Sequence, residues 1–134
     1  MAKQHGKSTV IKVGASDIST YCNASELERS ADAHDTTTYG NDAHRKDGGL
    51  LDGGFKFSGI YDNTAVTGPR HVLEPLLGTK PVITRQVEGT GAGKPQDVFT
   101  VLLTKYVESN PVADYVTWSA EGEIDGDVNS APQA

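Results

Sequence analysis

Along this chain, apolar positions alternate with polar ones far more often than they recur at helical spacing. The clearest case is Asp114 to Val128, DYVTWSAEGEIDGDV. Val116, Trp118, Ala120, Ile124 and Val128 share one parity, and Tyr115, Thr117, Ser119, Glu121, Glu123, Asp125 and Asp127 share the other. Period two predicts a β-strand with one buried face. The second face carries four carboxylates in succession, with no Lys or Arg between them. Same-face neighbours cannot avoid each other, so this row costs repulsion within one copy of the chain.

The same pattern predicts most other elements. Met1 to Lys7 is expected to be a mobile polar arm, Ser8 to Val13 a short strand, and Gly14 to Asp17 a turn. Asp17 to Cys22 suits a second short strand or a bend. Ser25 to Asp32 alternates Leu27, Arg29 and Ala31 with Glu26, Glu28 and Ser30, which predicts a strand. Thr36 to Tyr39 is strongly β-prone. Gly40 to Gly53 is polar and glycine-rich, and is expected as a long exposed loop, of a length that is usually functional or disordered. Gly54 to Asp62 places Phe55, Phe57 and Tyr61 on one side of a strand.

Thr64 to Gly78 is the one plausible helix. Pro69 suits its first turn and Gly78 its end, while Pro75 removes a backbone donor. A short or kinked helix burying Val72, Leu73, Leu76 and Leu77 is expected. Lys80 to Val87 reads as a strand and Glu88 to Gln96 as a flexible loop. Asp97 to Val107 is the most apolar strand, hydrophobic at both parities, so both of its faces are expected to be covered, with the strand central in a sheet or at a subunit contact. Ser109-Asn110-Pro111 is a turn. The fold class is therefore mainly β: a β-sandwich or barrel with one short α-helix packed on it. Residues 1–16 form an arm and first strand, 17–128 one β domain, and 129–134 a flexible polar tail.

Composition narrows the function. The chain has 134 residues, 36% hydrophobic, with 15 glycines and a formal net charge of −6. The apolar share is low for a compact globule, which suits a subunit whose burial neighbours complete. The acidic balance argues against tight phosphate-backbone binding. A single cysteine, Cys22, excludes an internal disulfide and a cysteine-rich metal site. The first ten residues lack the apolar run of a secretory signal, and no apolar run is long enough for a membrane helix.

Each chemical motif is incomplete. Gly89-Thr-Gly-Ala-Gly-Lys94 approaches a phosphate loop, yet Glu88 stands where that pattern needs glycine and Pro95 where it needs Ser or Thr. The histidines, at positions 5, 34, 44 and 71, do not form a zinc-binding helical pair. His34 and His44 lie near Asp32, Asp35 and Asp42, a weak metal arrangement at most. Cys22 could be drawn as a nucleophile with a histidine, but a lone cysteine in a strand is usually a small buried hydrophobe. Glu121 and Glu123 on one strand face would lie about 7 Å apart, a spacing used by inverting glycosidases. A lining of exposed aromatics to hold a sugar is missing from the pattern. His44-Arg45-Lys46 is a basic cluster suited to contact an acidic neighbour.

Several stretches, taken in order, resemble the major tail tube proteins of long, non-contractile-tailed bacteriophages. They are Asp17-Ile-Ser-Thr-Tyr21, Ser25-Glu-Leu-Glu-Arg29, Asp35-Thr-Thr-Thr-Tyr-Gly40, the glycine-rich run Leu51 to Asp62, and Val116-Thr-Trp-Ser119 followed by Ile124-Asp-Gly126. The resemblance spans about Asp17 to Val128. It implies a phage tail tube fold and a structural virion protein without catalytic residues, cofactor or metal. Such proteins form hexameric rings that stack into the tube through which the genome is ejected. The implied partners are further copies of the chain and other tail proteins (tape measure, terminator, tail tip). DNA passes without specific binding and no membrane is involved. The implied place is the virion tail, after synthesis in the bacterial cytoplasm. Glu121, Glu123, Asp125 and Asp127 become candidates for the lumen wall. Asn41, Asp42, His44, Arg45, Lys46 and Asp47 become candidates for the inter-ring contact. The alternatives are a tail terminator, a head–tail joining protein, or a carbohydrate- or host-surface-binding β-sandwich. The last needs exposed aromatics, whereas Phe55, Phe57, Tyr61, Phe99 and Trp118 sit at core parities.

Overall fold

The computed structural model describes residues 6–62 and 68–133. Among them are β1 (Val10–Val13), β2 (Ser16–Asp17), β3 (Ala24–Asp35), β4 (Lys46–Ile60), α1 (Pro69–Leu73), β5 (Val82–Gln86), β6 (Pro95–Ser109), β7 (Thr117–Ile124) and β8 (Asn129–Pro132). The strands are antiparallel in the order β2-β1-β5-β6-β7-β4-β3, with β8 also on β6. The mainly-β class with one short helix is what the alternation predicts.

Strand β6 joins two halves of the sheet. Its first part pairs with β5 and β8, and its second part with β7. A strand shared in this way lets the halves face one another across a common core. One half supplies Ile11, Val13 and Ile83, and the other supplies Phe55, Phe57, Trp118 and Ala120. Phe55 stands edge-on to Phe99 at 5.1 Å between ring centroids, and Phe57 edge-on to Trp118 at 5.5 Å. These are favoured aromatic geometries. The Trp118 indole N–H donates to the Tyr21 carbonyl at 3.2 Å, so its polar edge is satisfied.

Helix α1 starts with Pro69 at its first turn and buries Val72 and Leu73. Residues Glu74–Leu76 tighten into a 3-10 turn around Pro75, and Gly78 ends the segment at φ 79°. Leu76 is half-buried and Leu77 is exposed, so the apolar stripe is shorter than expected. Thr64–Thr67 of the expected helix lie outside the described residues, as do Met1–His5 of the expected arm. Between Asp17 and Cys22 the chain bends through a 3-10 turn, Ser19–Tyr21.

Four expectations are corrected. The loop expected over Gly40 to Gly53 is strand from Lys46 onward, paired with a β3 that reaches Asp35. Its glycines mark close backbone approach: a Cβ on Gly53 would run into the Glu28 carbonyl, and one on Gly49 into the His34 ring. The true loop is residues 36–45, and it takes in the β-prone threonines.

The second correction concerns β6. The expected central place is found, between β5 on one side and β7 and β8 on the other, but the second face, with Val98 and Leu102, is only half-buried, and a register shift falls between Leu103 and Lys105. Before the shift Phe99, Val101 and Leu103 face the core; after it Tyr106 does, and Val107 is exposed. Such a bulge resets the alternation.

Third, the strand expected through Val128 breaks after Ile124, where Asp125, Gly126 at φ 89° and Asp127 leave the sheet. Fourth, the tail expected from Asn129 is strand β8, which resumes along the same side of β6. Gln133 then holds the Glu88–Gln96 loop, expected to be flexible. Its side-chain amide accepts from the Gly91 N–H and donates to the Gly89 carbonyl, while its backbone bonds Gly93 and Lys94. The amides that resemble a phosphate cradle are thus used within the chain.

Candidate functional site

The outward face of β3, β4, β7 and β6 is a shallow trough. The register sets Glu26, Lys56, Glu121 and Lys105 side by side across the four strands. Glu121 lies 4.0 Å from Lys56 Nζ and 3.9 Å from Lys105 Nζ. The lysines missing from the β7 sequence therefore come from its neighbours, and the repulsion expected along that strand is partly relieved. The acid remains in excess, because Glu28, Asp52 and Glu123 also line the trough. The lumen candidates do not share one face. Glu121 and Glu123 stand on β7, whereas Asp125 and Asp127 occupy the break after it. Asp125 pairs with Lys80 at 3.3 Å.

This four-stranded unit has an open backbone edge on each side. Strand β3 pairs only with β4 among the described residues. On β6, residues 78–81 bond the free side as far as Leu103; from Thr104 to Ser109 the pairing among the described residues is with β7 alone. Unpaired edges of this length are templates for another strand.

Beyond the body, the ends of β3 and β4 continue as a two-stranded ribbon. Leu50 and Leu51 on it are 80% and 71% exposed. Of the inter-ring candidates, Asn41, Asp42, His44 and Arg45 sit in the loop at its tip, and Lys46 and Asp47 open β4. All six are exposed. The loop is internally tied. The Asp35 carboxylate accepts the Thr37 N–H at 2.9 Å, and the Thr36 N–H donates to the Arg45 carbonyl at 2.8 Å. Hydrogen bonds from the Thr37 hydroxyl and then its N–H hold the Asp35 carboxyl below its usual pKa. At the far end of the sheet, the turn of residues 110–116 exposes Val112 fully and Tyr115 largely.

The catalytic alternatives gain nothing from this geometry. Burial, and then the Asp17 carboxylate, push the Cys22 thiol up to about 12, so it carries no thiolate at neutral pH. Glu121 is engaged by two lysines in an open trough. Among the described residues, no group of three or more His, Cys, Asp or Glu side chains is gathered for a metal. Sequence reasoning missed both open edges, the Lys56 and Lys105 partners, the exposed ribbon leucines and the exposed Val112 beyond the Ser109–Pro111 turn. The open edges follow from strand order, which local periodicity does not encode.

No protein-family model and no curated protein matches the sequence. Solved structures do match. A chain from the virion of a native gene transfer agent particle aligns with TM-score 0.78 at 12% identity, covering 96% of this chain and 99% of that one. A chain from the tail of an empty gene transfer agent particle, refined helically with C6 symmetry, aligns at 0.76 and 15%, covering 98% and 100%. The fold is one found in a particle tail. A third structural match is a chain from the sheath–tube complex of an extracellular contractile injection system, PVC, in its extended state. It aligns at 0.69 and 14% identity, covering 93% of this chain and 88% of that one.

Proposed function

We propose that this chain is a tail tube subunit whose copies close into hexameric rings that stack into a hollow conduit for a genome. The observation that carries the reading is the four-stranded unit with an open edge on each side. Pairing β3 of one copy with the free stretch of β6 in the next is head-to-tail, and such contacts make a ring when the rotation closes. The C6-symmetric particle tail with the same fold supports six as the number per ring. The role is structural, the place is the tail of a virion, and the chain's main partner is itself. Tape measure, terminator and tail tip proteins are the further partners of that role, in a non-contractile tail of the siphovirus type.

In this arrangement the acidic trough lines the bore, led by Glu121 and Glu123, with Asp125 and Asp127 at its margin. Excess carboxylates keep phosphates from adhering over roughly 8–10 Å at physiological salt, so DNA slides rather than binds. The ribbon tip, with Asn41, Asp42, His44, Arg45, Lys46 and Asp47, reaches the next ring. Electron microscopy of the concentrated protein is expected to show rings or tubes. A protein that stays strictly monomeric and is not incorporated into tails overturns the proposal.

A further inference from the structure

The two ends of the four-stranded unit carry complementary surfaces. At one end the ribbon extends roughly 20 Å past Gly53, at a strand's rise per residue. A two-stranded ribbon is marginal in water by itself. This one also holds adjacent leucines, Leu50 and Leu51, which alternation sends to opposite faces. Its tip adds a fully exposed Tyr39 and the cations of Arg45 and Lys46.

At the opposite end, β4 finishes at Ile60 and β6 at Ser109, both beside Thr117. The turn linking β6 to β7 caps that end. Residues 110–116, NPVADYV, contain no glycine and no base. Pro111 stiffens the turn. Val112 and Tyr115 stand out from it, and the exposed Asp114 carboxylate accepts the Tyr115 N–H at 2.7 Å. The ribbon end thus offers Tyr39 and, beside its own Asp35, Asp42 and Asp47 carboxylates, the cations Arg45 and Lys46, and the other end offers Val112, Tyr115 and the Asp114 carboxylate.

We infer that the ribbon tip docks on the β6–β7 turn, residues 110–116, of a second copy of this chain in the adjacent ring. The inference rests on the tube reading. Stacking identical rings brings one end of each copy against the opposite end of another, a heterologous contact that repeats along the axis. Tyr39 packs with Val112 and Tyr115, and Arg45 and Lys46 flank Asp114. The trough carboxylates stay clear of this contact, so the Arg45 and Lys46 cations and the acidic wall have separate tasks.

Charge exchange in the full-length protein tests this. Arg45→Glu with Lys46→Glu is expected to raise the concentration needed for tubes about tenfold, as for two exposed pairs made repulsive. Rings persist. Asp114→Lys alone is expected to weaken stacking as well, and in the triple variant to restore it. No effect of Asp114→Lys alone, or no restoration, overturns the docking site. If a charge variant fails to fold by circular dichroism, a cysteine pair decides. Chains carrying Tyr39→Cys and chains carrying Val112→Cys, both with Cys22→Ser, are co-assembled and oxidised. Covalent heterodimers are expected in tubes and not in isolated rings. Tubes without them overturn this inference alone, whereas wild-type protein that forms neither rings nor tubes overturns the tube reading.

Discussion

Glu121 shows what one residue's neighbourhood adds to its sequence. Within β7 it is an acid among acids, yet across the sheet it lies between the Lys56 and Lys105 ammoniums. Exposed pairs of this kind contribute about 0–1 kcal/mol each, so they set the local charge more than the stability. Gly59 is the opposite case, a buried position with no side chain. A Cβ there would run into the Tyr21 carbonyl, beneath the Trp118 hydrogen bond. Gly59→Ala is expected to destabilise the protein by about 3 kcal/mol through forced backbone movement, measured by urea unfolding against wild type. The buried side chains Phe55, Phe57, Trp118 and Ala120 were legible from alternation, because period two maps directly onto a half-buried strand. Gly59 was not, because its constraint comes from a segment 38 positions earlier in the chain.

Among the elements, β3 and β4 gave the widest gap between sequence and structure. Glycine density in Gly40 to Gly53 reads as loop, but these glycines are set by what passes close beside them, His34 at Gly49 and the Glu28 carbonyl at Gly53. In β6 the bulge matters only toward the end of the strand, where one extra residue inverts the parity and puts Tyr106 on the core side; Val98 and Leu102, before it, are apolar on a half-buried second face. The loop at the ribbon tip has a pH signature of its own. The folded Asp35 pKa lies below its ordinary value of 3.8, so its contribution is full above that value and is lost as pH falls through the lower, folded one. The Thr37 amide resonance is therefore expected to hold its position down to the ordinary carboxylate range and to shift only below it. Asp35→Asn is expected to abolish that titration. An amide that already moves between pH 5 and 6 with Asp35 intact would count against the Asp35–Thr37 bond.

At the scale of the whole molecule, the tube reading distributes its charges by task. Ala at His44, Arg45 and Lys46 together is expected to weaken ring stacking while leaving the unfolding midpoint of the subunit near that of wild type. Normal polymerisation of this triple variant would show that the tip's charge is not the contact. Glu121→Lys with Glu123→Lys is expected to leave tubes intact but impair DNA passage, read as particles that adsorb to cells and fail to deliver their genome. Strand order has a further consequence, for how the chain is made. Strand β4 gains its inner neighbour only from β7, more than fifty positions later, with Phe55 opposite Gly122 and Phe57 opposite Ala120. On the ribosome, a nascent chain that has not yet reached residues 117–124 holds both phenylalanines without the strand that completes their sheet. The edges of β3 and β6 therefore become presentable to other copies only once residues 117–124 have been made, so chains that stop short of them are poor recruits for a growing polymer.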